Sequence, residues 1–235
     1  MDALSPSIGA RVRMIVEEIR GAAIRAGRAP DAVRLLAVSK MVSVTSLREA
    51  VDAGIRHIGE NRLQEALPKI DALDRHGVAW HFIGTLQRRK AKAVVGRFET
   101  IHSVDSIALA DEIDRRAQEA GVRQRILLEV NIGAEDSKGG FEPTALLAAL
   151  PALSRLQSLD IRGLMTIPPP SPRPEGTRMY FRRLREFAQT LTGQGCANIN
   201  MEELSMGMSH DYQVAVEEGA TYVRVGTAIF GARCD

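Results

Sequence analysis

The chain has 235 residues, 45% hydrophobic and 26% charged, which is the composition of a soluble globular protein able to bury a substantial core. A net charge of +2 gives no electrostatic case for nucleic-acid binding. Cys196 and Cys234 have no close-spaced partner, so neither a disulfide framework nor a zinc site is indicated. No stretch reads as a signal peptide or a membrane span, and a reducing, cytoplasmic location is the expectation.

In chain order, Ile8, Val12, Ile15, Val16, Ile19 and Ala23 recur at helical spacing, predicting a first helix over about 8–27 that Gly27 closes. The pattern then alternates. Candidate strands are Leu35–Val38, Arg56–Gly59, Trp80–Ile83, Thr100–Ser103, Ile126–Val130, Ile161–Thr166, Glu203–Ser205 and Tyr222–Val225. Helical segments lie between them, including Thr45–Ala53, with Thr45 as N-cap and Gly54 as stop, and Ser106–Ala120, with Ser106 as cap and Gly121 as stop. Strands alternating with helices imply parallel βαβ units. Eight of them favour a closed α/β barrel of the (β/α)8 TIM type over about 33–233, in a single domain with an extra N-terminal helix. A doubly wound sheet would show a glycine fingerprint after its first strand, and Lys40 is instead followed by Met41-Val42-Ser43. The proline run from Pro168 to Pro174 predicts an extended loop after the sixth strand. The basic cluster Arg88-Arg89-Lys90 with Lys92 reads as a solvated helix face.

The chemistry is expected where strands end. Lys40 closes an apolar strand, where burial favours the neutral amine that can attack a carbonyl and form a Schiff base. By itself it reads more readily as a strand-end lysine pointing into water. After the seventh strand, Ser205-Met206-Gly207-Met208-Ser209 precedes a helical segment, Tyr212–Glu218. Ser209 there suits either an anion site or a simple helix cap. In the eighth strand, Arg224 interrupts an apolar run and must be paired, while Gly226 and Thr227 can bring N–H groups close to a phosphate. An amine, an arginine and two phosphate nests together match the chemistry of pyridoxal 5'-phosphate.

The same segments carry a resemblance. Ala37-Val38-Ser39-Lys40, Gly59-Glu60-Asn61-Arg62-Leu63-Gln64-Glu65 and Trp80-His81-Phe82-Ile83-Gly84-Thr85-Leu86-Gln87 resemble the YggS/PROSC family of pyridoxal phosphate homeostasis proteins. So do Gly163-Leu164-Met165-Thr166-Ile167-Pro168, the Leu204–Ser209 run and Val223-Arg224-Val225-Gly226-Thr227-Ala228-Ile229-Phe230-Gly231. The matches run in family order over nearly the whole chain. The resemblance implies an alanine racemase N-terminal domain-like barrel in which Lys40 holds the cofactor and Arg224 faces the pyridine nitrogen. It implies that Ser209, Gly226 and Thr227 hold the phosphate and that Asn61 lies near the cofactor. Asn61 also suits the N-cap of the following helix. His81 and Met165 are expected at the barrel mouth or in its core. The sequence departs from the family pattern at Met41, at His210 and at Arg88-Arg89-Lys90.

An arginine cannot take up a proton from the ring nitrogen, so the expected electron sink is weak. A racemase also needs a second acid/base group opposite the lysine, in alanine racemase a tyrosine from a further domain. The chain ends at Asp235 soon after the barrel, and Tyr180, Tyr212 and Tyr222 occupy no comparable segment. The leading expectation is therefore a cofactor-holding protein of vitamin B6 and amino-acid homeostasis without robust catalysis. Apoenzymes that use pyridoxal phosphate are its candidate recipients, and the chain is a monomer or weak dimer. The alternative is a small amino-acid racemase or other pyridoxal-phosphate enzyme, its second base supplied by Lys138, a cysteine or a partner. A cofactor-free Schiff-base enzyme would leave Arg224 without a ring to face.

Overall fold

The structure is a computed structural model that describes residues 6–73, 76–135, 138–192 and 198–231. Cys196, Cys234 and the last residues of the expected barrel range lie outside the described residues. Eight strands close a parallel barrel in chain order: β1 (Arg34–Val38), β2 (His57–Glu60), β3 (Ala79–Phe82), β4 (Thr100–Val104), β5 (Gln124–Glu129), β6 (Leu159–Met165), β7 (Ile199–Met208) and β8 (Tyr222–Val225). Closure comes from β8 pairing back onto β1, with Leu36 opposite Arg224 and Ala37 opposite Val225. The helices are α1 (Ile8–Arg25), α2 (Val44–Asp52), α3 (Leu63–Leu73), α4 (Ala91–Val94), α5 (Ile107–Ala120), α6 (Pro143–Leu153), α7 (Arg178–Thr192), α8 (Tyr212–Glu217) and α9 (Thr227–Phe230). The expected TIM barrel with an added N-terminal helix is what the chain forms. Among the described residues no helix is long and apolar enough to cross a membrane.

Local chemistry explains the boundaries. Ser7 caps α1 by accepting from Ala10 N, and the buried Val12, Ile15 and Ile19 form the face that α1 packs on its neighbours α8, α2 and α9. Ser106 caps α5, and Gly121 ends it at φ +65°, the left-handed region glycine tolerates. Two expectations need correction. Ser43, not Thr45, caps α2, because its Oγ accepts from Ser46 N at 3.1 Å. The seventh strand is far longer than Glu203–Ser205: polar Asn200, Glu202 and Glu203 interrupt its apolar run, yet the backbone stays in the ladder. Glu203 faces inward there, and Arg34 Nη1 donates to it at 2.9 Å.

The barrel interior is polar along one line. His57 Nδ1 lies 3.0 Å from His81 Nε2, His81 Nδ1 lies 3.0 Å from His102 Nε2, and His102 Nδ1 lies 2.9 Å from Ser205 Oγ. Ser205 Oγ also accepts from Arg224 Nη1 at 2.7 Å. The chain climbs from the first residue of β2 to the far end of β8. Tyr222 packs edge-on against His81 and His102 and receives a hydrogen bond from Arg34. His81 and His102 have no exposed surface, and Met165 is 1% exposed, so both His81 and Met165 are core residues and not mouth residues.

Arginine only donates, which sets the direction of the whole chain. Ser205, having accepted from Arg224, has its own proton free for His102 Nδ1. His102 then carries its proton on Nε2 and donates to His81 Nδ1, and His81 Nε2–H donates to His57 Nδ1. Each ring must be neutral. Burial holds His81 and His102 well below the usual imidazole range, and it lowers His57 too, with Arg34 adding repulsion against Glu99 and Glu203.

Beside this line sits a buried ion pair. Lys69 Nζ on α3 donates to Glu60 Oε1 and to Ser39 O, both at 2.6 Å, and Ser39 Oγ donates to the same Glu60 oxygen at 2.5 Å. Glu60 is wholly buried and the Lys69 side chain is 9% exposed. The three groups tie the end of β1 to the end of β2 and to α3. Residues 40 and 61 follow directly.

Two outcomes are expected. Nitrogen-15 spectra of histidine-labelled protein at neutral pH will show His57, His81 and His102 as neutral Nε2–H tautomers; an Nδ1–H form at His102 would break the assigned direction. Because the folded pKa values are depressed, the unfolded chain binds protons first, so stability falls as pH drops below about 6.5, by up to about 1.4 kcal/mol per pH unit for each fully buried ring. Lys69→Met, which strands the Glu60 carboxylate, will cost about 3–5 kcal/mol in urea titration, and adding Glu60→Gln will recover part of it. Equal losses in the single and double variants would contradict that account.

Candidate functional site

The C-terminal ends of the strands hold two adjoining cavities that share Asn61. One, of about 340 Å³, is lined by Ser209, His210, Arg224, Gly226 and Thr227 with Asn61, and by the apolar Val38, Ile83, Ile167 and Met208. The other, of about 330 Å³, contains Lys40 and Asn61 with Arg62, Lys90 and the polar side chains of Gln64, Thr85 and Gln87. Five of the six residues singled out from sequence thus meet in the first cavity, and Lys40 stands in the second. A larger cavity, about 460 Å³, adjoins through Ser209 and His210 but is walled by charged surface pairs such as Arg25 with Glu217.

Arg224 is 5% exposed. Its Nη1 donates to Ser205 O and Ser205 Oγ, and its Nη2 donates to Thr166 O at 2.8 Å. Its Nε makes no hydrogen bond among the described residues. Burial pushes the guanidinium down to about 10, opposed by Asp211 and Glu129, so it stays charged at neutral pH. No carboxylate touches it. Glu129, on β5, is itself raised by burial and by Asp105.

Ser209 does not cap the helix that follows it. Asp211 stands at the N-cap position of α8, and its Oδ1 accepts from Met208 N at 2.7 Å to close the turn. Ser209 Oγ instead accepts from Gly226 N at 3.2 Å and from Ala228 N at 3.4 Å, which links the β7 turn to the β8 turn. Gly207 makes the approach possible. It lies at φ +88°, and a Cβ there would stand 2.4 Å from the Cβ of Ala215.

Lys40 is half-buried at the end of β1, and the next residue, Met41, is held at φ +59° with its N–H donating to Glu65 Oε2 at 3.0 Å. Among the described residues the Asn61 side chain makes no hydrogen bond, so the expected N-cap is not formed. Its backbone is pressed by Gly84, where a Cβ would lie 2.3 Å from Asn61 O. Lys138 is elsewhere engaged: it pairs with Glu135, and its Nζ donates to Pro168 O at 3.0 Å across to the proline loop. Asp136 and Ser137 of that loop lie outside the described residues.

Reading the sequence missed the shell around Arg224: Ser205, Thr166, His102 and Glu129. Only the inward alternation of polar residues in otherwise apolar strands could have signalled them.

A donor-only set fits an anionic, acceptor-bearing group. A phosphate suits the Ser209–Thr227 turn, a ring acceptor suits Arg224, and an aldehyde suits the Lys40 amine; the apolar walls suit a ring face. The comparisons agree with that chemistry. The model of the family described as alanine racemase, N-terminal domain, matches residues 20–234. A pyridoxal phosphate homeostasis protein of Aquifex aeolicus is 45% identical over 95% of this chain and 97% of its own length. The structure of PipY from Synechococcus elongatus PCC7942, with PLP bound, is 44% identical and superposes with a TM-score of 0.79, covering 92% of this chain and all of PipY. The alanine racemase of Streptomyces coelicolor A3(2), at 21% identity and a TM-score of 0.68, shares the fold over 96% of this chain and 59% of the racemase. The chain belongs to the pyridoxal phosphate homeostasis protein family, built on the alanine racemase N-terminal domain.

Proposed function

We propose that this protein binds pyridoxal 5'-phosphate reversibly and acts in vitamin B6 and amino-acid homeostasis, holding the cofactor without robust catalysis. When bound, the cofactor supplies an aldehyde that condenses with amines and a ring that withdraws electrons. The Lys40 amine is the group that takes the aldehyde. Ser209, Gly226 and Thr227 receive the phosphate, Asn61 borders the ring, and Arg224 donates toward the ring nitrogen. The observation that carries the reading is Arg224: a buried guanidinium, fixed by two carbonyls and a serine, with two N–H groups, one of them on Nε, left over beside a phosphate-sized turn.

The same residue argues for holding over turnover. A permanent donor cannot keep the ring nitrogen protonated, so the ring withdraws electrons weakly. Among the described residues, Tyr212, Tyr222 and Lys138 are all engaged elsewhere and do not serve as the second acid/base group. The Tyr212 hydroxyl donates to Glu18, Tyr222 lies inside the barrel against Arg34, and Lys138 is bound to Pro168 O. Neither tyrosine lines the two cavities. Reversible holding makes apoenzymes that need the cofactor the natural recipients.

Adding pyridoxal phosphate to the purified protein will produce a visible absorption band that Lys40→Ala abolishes; a wild type that gains no band would sink the proposal. With cofactor bound, racemisation of alanine will stay near background, and fast, saturable turnover lost in Lys40→Ala would instead make this chain an enzyme.

A further inference from the structure

The cavity that holds Lys40 is unusual for its charge. Lys40, Arg62 and Lys90 line it, and no aspartate or glutamate does. Several arginines elsewhere are matched: Arg115 and Arg116 pair with Glu112 and Glu119, and Arg178, Arg182 and Arg185 converge on Glu218. Here the ammonium groups of Lys40 and Lys90 make no ion pair or hydrogen bond among the described residues. Arg62, whose side chain is 65% exposed, reaches only the half-buried Glu65, at 3.4 Å, and that carboxylate is also committed to Met41 N.

The basic cluster Arg88-Arg89-Lys90 divides accordingly. Arg88 and Arg89 are exposed, as a solvated face requires, and Arg89 Nε donates to Gln87 Oε1. Lys90 alone turns inward and is half-buried in the cavity wall. The wall is built and not incidental. Gly84 abuts the Asn61 backbone with no room for a Cβ, and Ser103 Oγ donates to Gly84 O at 2.6 Å. Around the three cations stand donors without partners among the described residues: the side-chain amides of Asn61 and Gln64, and the Thr85 hydroxyl.

We infer that this cavity is a carboxylate-binding subsite, in which Arg62 and Lys90 receive the carboxylate of a small amino acid or oxo acid standing beside the Lys40 amine. Like charges in one concavity repel, and a bound anion relieves that repulsion while accepting charge-assisted hydrogen bonds from the guanidinium fork and the ammonium. A volume near 330 Å³ suits a molecule of a few carbons. A phosphate already has its own turn in the neighbouring cavity, at Ser209 and Thr227. The carboxylate site itself follows from the cavity, whereas the neighbour it serves rests on the reading of Lys40 as the cofactor-holding amine.

The test uses cofactor-free, nitrogen-15-labelled protein titrated with succinate, and separately with inorganic phosphate, at constant ionic strength. Succinate is expected to shift the amide signals of Asn61, Gln64, Thr85 and Gln87 saturably. In Arg62→Ala/Lys90→Ala its dissociation constant rises about tenfold or more, in keeping with the loss of charged hydrogen bonds. The same double variant keeps the visible band on addition of pyridoxal phosphate, which shows that it folds. No saturable shift, undiminished binding in the double variant, or phosphate binding at these amides as tightly as succinate would each overturn the inference. A wild type without a visible band would overturn the cofactor reading and leave the succinate result standing.

Discussion

The upper half of the barrel is organised around one buried cation. Arg224 brings a charge to a place that water barely reaches, and such a charge persists only if its hydrogen bonds are met. Neutral oxygens meet them: Ser205 O, Ser205 Oγ and Thr166 O. Glu129 and Asp211 offset the charge from a distance without touching it. A direct carboxylate contact would neutralise the guanidinium and leave fewer of its donors for a ligand. Neutral anchors fix the guanidinium while leaving Nε to face something else.

That choice propagates through the barrel. Because Arg224 only donates, Ser205 must pass its proton onward, and His102, His81 and His57 fall into one tautomeric series. A second fixed point, the Lys69–Glu60–Ser39 cluster, lies under the neighbouring strands. Its members immediately precede Lys40 and Asn61 in the chain. The site is thus held from below by two buried charged groups, each with its own polar neighbours, while the residues that face the cavities keep unsatisfied donors. Rigidity sits in the shell and reactivity at the rim.

The barrel was legible because its strands are apolar on both faces and its helices are bounded by serine caps and glycine stops. Reading failed where polar residues sit inside the barrel. Asn200 and Glu202 make β7 look short, and His81 reads as either a mouth or a core residue although it is sealed within a histidine chain. Burial of a polar side chain depends on partners far apart in sequence, and His102 and Ser205 are 103 positions apart. Ser209 reads as either an anion site or a helix cap. The cap is not formed: Gly207 bends the turn so that the Ser209 hydroxyl meets the N–H groups of the β8 turn instead. Candidate residues could be named from the sequence; the geometry that joins them could not.

Charge now separates the two cavities by task. The one that contains Arg224 combines apolar walls with directed donors, which suits a flat ring that carries a phosphate. The one that contains Lys40 is polar, cationic and free of carboxylates, which suits a second, smaller anion. Asn61 borders both, so anything attached to the Lys40 amine stands at their junction. A chain whose only task was to trap an aldehyde would need the first cavity and the amine, and Arg62 and Lys90 beside that amine would have no anion to meet. Their presence is accounted for if amine-bearing or oxo acids reach the same junction. In that case the level of free amino acids bears on how firmly the cofactor is held, and a protein of modest chemistry can link the two pools by occupancy alone.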